Sequence, residues 1–251
     1  MTQFENEAPS SFSQGQDFHE DRTRNGAGPS GKAGEIAEEL ERRLMLGAYR
    51  FGEPLSITQL AGQFDASRQP VSMAISHLRS IGYVDIIPQV GCRVVSPTPA
   101  EITDFFLAVG RMEGVVAGFA ALRHIGDEAL ALAGVAGREV PGQLDTATGR
   151  AAYIRTVNDF HNQIWRMARS PTLEGRVARL RNLSIFYLWQ GTPRLAPRAA
   201  GLLNRERAEI AAAISERDAD KADRLMTRHI ANKPVVNGIA GEALSGPPTR
   251  A

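Results

Sequence analysis

Residues 66–84, ASRQPVSMAISHLRSIGYV, contain the pattern that decides the fold of the first part of this chain. The apolar residues that recur at the spacing of one helical face are Val71, Ile75 and Leu78. Ser67 is a suitable N-cap in front of that helix, and Gly82 is a stop signal behind it. The runs that follow, YVDII and CRVVS, are short and rich in β-branched residues, and the turn PQVG at 88–91 joins them. The pattern therefore predicts a helix followed by a β-hairpin.

Two more helices are predicted ahead of this segment. The apolar face of the first consists of Ile36, Leu40 and Leu44. It ends at Gly47, and a turn is predicted at 52–54, Gly-Glu-Pro. The second helix opens with a capping box formed by Ser56 and Gln59. Three helices followed by a two-stranded hairpin predict a winged helix-turn-helix domain over residues 31–96.

The rest of the chain is predicted to be an all-α bundle over residues 97–235. Its first helix has an N-cap, a proline and a glutamate in the sequence TPAE at 98–101, and it extends to about His124. The other predicted helices lie near 127–135, 151–168, 173–189, 197–216 and 218–233. Residues 1–30 and 236–251 are poor in apolar side chains, so they are predicted to be a disordered N-terminal tail and a flexible C-terminal tail.

Composition limits the class of protein. The 251 residues have a formal net charge of +1 and a single cysteine, Cys92, which excludes an intramolecular disulfide and an all-cysteine zinc site. No secretory signal and no apolar run of about 18 residues is expected, so the sequence predicts a cytoplasmic protein without a membrane partner. Residues 33–96 hold six arginines and seven acids, a net charge of −1, whereas residues 67–80 hold no acid. The third predicted helix is therefore locally positive, although the domain that contains it is not basic as a whole.

The start of the third helix has the chemistry of a DNA-binding surface. A helix N-terminus offers free N–H groups to a phosphate, and Arg68 can contact phosphate or the O6/N7 edge of guanine. Gln69 and Ser72 are predicted to face outward on the same turn. The predicted DNA-binding residues are Ser67, Arg68, Gln69, Pro70 and Ser72, with Gln89 and Gly91 at the hairpin tip.

The three segments GAYRFGEPLSITQLAGQF, ASRQPVSMAISHLRSIGYV and PQVGCRVV resemble, in this order, the GntR family of bacterial transcription regulators. The second domain resembles the FadR-like (FCD) effector-binding and dimerisation domain in NDFHNQIWRMARSPTL and ERAEIAAAISERDADKADRLMTRHI. The chain departs from the family pattern at Ser72 and Val90, where the family usually has arginine. Each departure removes one candidate DNA contact.

The resemblance to the FCD domain implies a divalent metal, zinc or nickel, held by an Asp or Asn and three histidines. His161 and His229 match the first and the last histidine, but Val157 occupies the acid position and Arg207 the second histidine position. Two histidines alone make a poor metal site, so no cofactor is the leading expectation. As an alternative, the guanidinium of Arg207 supplies the positive charge and holds a carboxylate bidentately. The candidate effector-binding residues are then His161, Arg207, His229 and Arg155.

The sequence predicts a DNA-binding transcription regulator, specifically a repressor. It would bind a pseudo-palindromic operator in double-stranded DNA as a homodimer, and a small carboxylate effector would modulate that binding. The alternative is a helical dimerisation or scaffold protein with a weakened DNA-binding domain and no effector. An enzyme is not predicted, because no nucleophile motif and no glycine-rich phosphate loop is present.

Overall fold

The computed structural model describes residues 28–87, 91–139, 146–190 and 197–236. Its helices are α1 (Gly31–Met45), α2 (Ile57–Gln63), α3 (Arg68–Ser80), α4 (Pro99–Arg123), α5 (Glu128–Ala136), α6 (Ala147–Ala168), α7 (Pro171–Leu188), α8 (Pro197–Ser215), α9 (Ala219–Ala231) and α10 (Lys233–Val236). Its strands are β1 (Pro54–Leu55), β2 (Val84–Ile87) and β3 (Gly91–Val94). The predicted tails, 1–30 and 236–251, lie almost entirely outside the described residues.

The first domain has the predicted winged helix-turn-helix architecture, with one more strand than expected. The antiparallel sheet has the order β1-β3-β2, and Leu55 pairs with Cys92. The prediction of a turn at 52–54 is therefore wrong at its last residue, because Pro54 begins β1 and pairs with Arg93. A two-residue strand is too short to show alternating hydrophobicity, and proline is tolerated at the first position of an edge strand.

The second domain is the predicted helical bundle. Thr98 and Glu101 form the expected capping box at the start of α4, and Asp218 caps α9 by accepting a hydrogen bond from the Lys221 N–H at 2.9 Å. The sequence did not predict α10, which contains Pro234. Proline fits there because the first turn of a helix has no intrahelical N–H partners to lose.

The long helix α4 lies at the centre of the bundle and packs along α9 and α6. Its side facing α9 contains Gly110 and Gly114, and a Cβ atom at Gly114 would lie 2.3 Å from Thr227 Oγ1. Only glycine allows the two helices to approach this closely. Helix α4 is long and apolar enough on average to cross a membrane, with a mean hydropathy of 1.6 over an 18-residue window, although Arg111 and Glu113 interrupt its apolar sequence. This helix is a core helix, and it also contributes the buried Glu113.

One hydrophobic core extends through both domains. Phe51, from the loop before β1, packs edge-on against Phe186 of α7 with ring centroids 5.5 Å apart, and Tyr83 lies 5.4 Å from the same ring. Gln190 donates to the carbonyl of Tyr49 at 3.0 Å and accepts from the Phe51 N–H at 2.9 Å. The DNA-binding fold is thus docked directly on α7.

Candidate functional site

The first turn of α3 forms an exposed polar surface. Ser67 is the N-cap residue, its side chain makes no capping hydrogen bond, and Arg68 and Gln69 are also exposed. The N–H groups at this helix end are therefore available to an anion. Pro70 lies half-buried on the same turn, where a missing N–H costs no intrahelical bond.

Two of the other predicted contact residues lie in the described structure. Ser72 is half-exposed, and its hydroxyl donates to the carbonyl of Arg68 at 2.9 Å. Gly91 is exposed at the start of β3 with φ +124°, a conformation that favours glycine. Gln89 lies outside the described residues. Sequence reasoning overlooked Met73, which is 49% exposed on the outer side of α3.

A second polar site lies inside the bundle, where α4 and α6 meet. Glu113 Oε2 accepts a hydrogen bond from Trp165 Nε1 at 2.9 Å and lies 3.3 Å from His161 Nδ1. Burial raises the pKa of Glu113, but His161, the charge of Arg181 and the Trp165 hydrogen bond together bring that pKa below its usual value. The ionised carboxylate therefore holds the proton of His161 on Nδ1, which leaves Nε2 as a hydrogen-bond acceptor.

A matching pair lies on the neighbouring helices α8 and α9. His229 Nδ1 is 2.7 Å from Glu206 Oε2, and the ring of His229 is stacked 6.2 Å from that of His161. Burial lowers the pKa of His161 to about 3 and that of His229 to about 4. Both imidazoles are therefore neutral near pH 7.

Arg207 lies beside these histidines and is only 2% exposed. Its Nη2 donates to the carbonyl of Arg138 and, at 2.7 Å, to Asn204 Oδ1. Its Nε and Nη1 are buried, and neither has a hydrogen-bond partner among the described residues. Burial lowers the pKa of Arg207 from its usual value, but a guanidinium stays charged at neutral pH.

A small cavity joins these groups, and the space between its walls holds about one water molecule. The lining residues are Tyr153, Val157, His161, Leu203, Arg207, His229 and Lys233. The structure therefore brings together the predicted effector residues His161, Arg207 and His229. Arg155, the fourth predicted effector residue, does not line this cavity. It lies on the exposed face of α6, two residues from Tyr153.

Sequence reasoning also missed Lys233, which is buried at the start of α10 and lines the cavity. Burial lowers its pKa to about 8. A lysine at the end of a predicted helix is normally solvated, so no local signal marks this one as buried. Tyr153 lies four residues before Val157 and eight before His161, so these three lining residues share one face of α6.

The family model of the bacterial regulatory proteins of the gntR family matches residues 32–94, and the model of the FCD domain matches residues 105–232, which is more than half of the chain. The chain belongs to the GntR family and has an FCD domain. GntR proteins of this type are DNA-binding transcription regulators, and the resemblance inferred from the sequence is confirmed.

Solved structures share the fold of this GntR chain at low identity. E. coli McbR/YncC is 15% identical, with a TM-score of 0.65 over 83% of this chain and 98% of its own. A GntR transcriptional regulator from Rhodococcus sp. RHA1 is 17% identical, with a TM-score of 0.63 over 82% of this chain and 98% of its own. A search among curated proteins finds no significant match.

The FCD residues of this chain do not fit the divalent metal that the resemblance implies. Within the ranges that the structure describes, no three His, Cys, Asp or Glu side chains are grouped as metal ligands. The Nδ1 atoms of His161 and His229 already face carboxylates, and the acid position is the apolar Val157. Arg207 and Lys233 line the same cavity, and their positive charges would repel a cation.

We expect the free energy of unfolding of this protein to decrease as the pH falls from about 7 to about 5. His161 and His229 stay neutral in the folded chain over this range, whereas the unfolded chain protonates them near the ordinary pKa of 6.5. The unfolded state therefore binds more protons, and each histidine contributes a decrease of up to about 1.4 kcal/mol per pH unit.

Urea denaturation at several pH values checks this expectation. His161→Gln should flatten the pH dependence of the free energy of unfolding. His77→Gln, at a half-exposed position on α3, should not. An unchanged slope in His161→Gln would contradict the assignment of a buried neutral imidazole.

Proposed function

We propose that this protein is a cytoplasmic repressor that binds a pseudo-palindromic operator as a homodimer and responds to a small carboxylate bound in the FCD cavity. The observation that carries the proposal is Arg207. Its guanidinium is buried with two nitrogens that lack a hydrogen-bond partner among the described residues, and it lines the cavity. Unsatisfied buried donors are costly, and a carboxylate oxygen is a strong acceptor for either of them.

The DNA-binding part of the proposal depends on the outer face of α3. Arg68 and Gln69 lie at its exposed N-terminus, and Arg79 extends the basic character of the same helix. One such helix reads few base pairs, so two-fold symmetry is expected to supply a second half-site. The exposed apolar side chains of α4 offer a surface for a second copy: Leu107, Val115 and Leu122.

The cavity wall connects the ligand site to the DNA-binding domain. Tyr153, Val157 and Leu203 line the cavity and belong to one apolar cluster with Met45 of α1 and Trp189. A ligand larger than a water molecule has to displace this wall, since the cavity has no other space. Any shift of Trp189 would then press on the end of α1, which is how we propose that the effector alters operator affinity.

The Tyr153 and Trp189 rings lie 5.4 Å apart, and the Trp189 Cβ would be 3.3 Å from a Cβ at Gly47, directly after α1. Arg150 Nε of α6 also donates to the Leu46 carbonyl at 2.5 Å. These contacts support a direct mechanical path between the cavity and the end of α1.

The experiment that tests the function starts by selecting DNA from a random library with the purified chain. Fluorescence anisotropy then measures the affinity for the selected sequence with and without acetate or lactate. The expected result is tight, salt-dependent binding that a carboxylate changes several-fold. Failure to select any DNA would favour the alternative of a scaffold protein with a weakened DNA-binding domain.

Arg68→Ala is expected to weaken operator binding about tenfold or more and to lower the salt dependence by about two phosphate contacts per dimer. Arg228→Ala is the matched control. Arg228 lies in the helical domain, where it forms an exposed ion pair with Glu209, so this variant should leave both the affinity and its salt dependence unchanged. Equal affinities for Arg68→Ala and the unsubstituted chain would remove Arg68 from the DNA-binding surface.

A further inference from the structure

We infer that Gln190 is a positioning residue that holds each DNA-binding domain in one orientation on its own helical bundle, and that this orientation sets the operator spacing, the number of base pairs between the two half-sites. Gln190 lies two residues after the end of α7, and its side chain contacts the loop between α1 and β1, residues 46–53. The operator part of the inference rests on the proposed function and deepens it. The hold on the DNA-binding domain does not depend on DNA.

The covalent connection between the two domains does not fix their relative orientation. Strand β3 ends at Val94 and α4 begins at Pro99, so residues 95–98 form the linker, in which Ser96 and Thr98 are exposed. Apolar packing across the domain contact opposes separation of the domains, but the hydrophobic effect is non-directional and does not select one rotation about the linker. A fixed orientation therefore needs directional bonds at a second place.

The side-chain amide of Gln190 makes two such bonds to the backbone of the 46–53 loop. Its Nε2 donates to the Tyr49 carbonyl at 3.0 Å, and its Oε1 accepts from the Phe51 N–H at 2.9 Å. Hydrogen bonds are directional, and a planar amide has its donor and its acceptor at fixed positions. The pair of bonds therefore fixes both the distance and the rotation of this loop relative to the end of α7.

The same loop is bonded to the sheet of the DNA-binding domain. The Gly52 N–H donates to the Val94 carbonyl at 3.1 Å, and the Val94 N–H donates to the Glu53 carbonyl at 2.9 Å. Val94 belongs to β3, the central strand of the sheet. At the start of the loop, Arg150 of α6 donates to the Leu46 carbonyl. The loop is thus attached to the bundle on one side and to the sheet on the other, so the DNA-binding domain cannot rotate about the linker without breaking these bonds.

A fixed orientation has a consequence for the operator. One base pair added between the half-sites moves one of them by about 3.4 Å along the duplex axis and rotates it by about 34°, because about 10.5 base pairs make one turn. A rigid homodimer cannot follow both changes, so a single spacing lets both copies of α3 enter the major groove. A loosened DNA-binding domain follows them more easily and accepts more spacings.

Fluorescence anisotropy tests the operator part with duplexes that carry the selected half-site twice, at the selected spacing and at spacings one or two base pairs shorter or longer. We expect the unsubstituted chain to bind the selected spacing about tenfold or more tighter than the others. Gln190→Ala should reduce this preference to about threefold or less, because both bonds to the loop are lost. A duplex with one half-site should bind both chains equally, since α3 is unchanged.

Two further variants separate the role of the amide from a general loss of stability. Gln190→Glu should give an intermediate preference, because a carboxylate still accepts from the Phe51 N–H but cannot donate to the Tyr49 carbonyl. Gln163→Ala is the matched control, since Gln163 lies on α6 and accepts a hydrogen bond from Arg166 of the same helix. It should keep the spacing preference of the unsubstituted chain.

Hydrogen exchange of the full chain without DNA measures the hold directly. The amide of Phe51 should exchange about tenfold or more faster in Gln190→Ala, because its acceptor is gone, whereas amides in the core of α6 around Phe160 should exchange at an unchanged rate. A general loss of stability would accelerate both regions. Gln163→Ala should leave the exchange of Phe51 unchanged.

The inference is overturned if the unsubstituted chain binds several spacings with equal affinity, if Gln190→Ala keeps the spacing preference, or if Phe51 exchanges equally in both chains. A chain that selects no DNA would reject the proposed function and the operator part of the inference together, and the exchange of Phe51 would then decide whether Gln190 holds the two domains. Spacing-selective DNA binding that acetate and lactate do not change would reject the effector role and support the inference.

Discussion

The double substitution Val157→Asp/Arg207→His is expected to convert the FCD cavity into a stoichiometric divalent-metal site. Val157 and His161 are four residues apart on one face of α6, and both line the cavity together with His229. The double variant would therefore present one carboxylate and three imidazoles, a ligand number and type that suit zinc and nickel. It also removes the guanidinium that repels a cation.

The measurement is metal content after dialysis, together with the thermal midpoint with and without EDTA. The double variant should retain about one zinc or nickel ion per chain and lose stability when EDTA removes it. The unsubstituted chain should retain none, and Val157→Asp alone should bind metal far more weakly because its carboxylate would pair with Arg207. A double variant without bound metal would mean that the cavity geometry, and not only its charge, differs from a metal site.

Val115→Asp is expected to dissociate the homodimer and to weaken operator binding at least about 100-fold, because the two half-sites are then no longer linked. Val115 is 42% exposed and lies on one side of α4 with Leu107 and Leu122, although α4 is apolar enough to be buried on all sides. In a two-fold interface each substitution occurs twice, so two carboxylates would be desolvated together.

Light scattering coupled to size exclusion measures the assembly state, and anisotropy measures the operator affinity. Leu130→Asp is the matched control, because Leu130 is 73% exposed on α5, which packs against α6 and α8. It should leave both the dimer and the operator affinity intact. A Val115→Asp chain that remains dimeric would exclude this side of α4 as the interface.

The elements with strong local signals could be predicted from the sequence. The apolar spacing of α3, the capping box of α4 and the β-branched runs of β2 and β3 are encoded within a few residues. Strand β1 has no such signal, since two residues cannot show a period. The short α10 was missed because proline after a helix is normally a sign of its end.

The candidate ligand site was only partly predictable, for a different reason. Resemblance pointed to His161, Arg207 and His229, which the fold brings together. Lys233 was missed because burial of a lysine is a property of tertiary packing. Arg155 was included because its chemistry suits a carboxylate, yet it lies on the opposite side of α6 from the cavity. The chemical type of a side chain does not show on which face of a helix it lies.

The shared core has a consequence for the modularity of this chain. Two family models divide it into separate domains, but the rings of Phe51 and Tyr83 pack against Phe186 on the other side of that division. A DNA-binding domain transplanted onto a foreign effector domain would expose these aromatic faces to water. Recombination between members of the family would thus have to preserve matching aromatic side chains at the contact between the two domains. This contact, rather than the linker, constrains which domains can be exchanged.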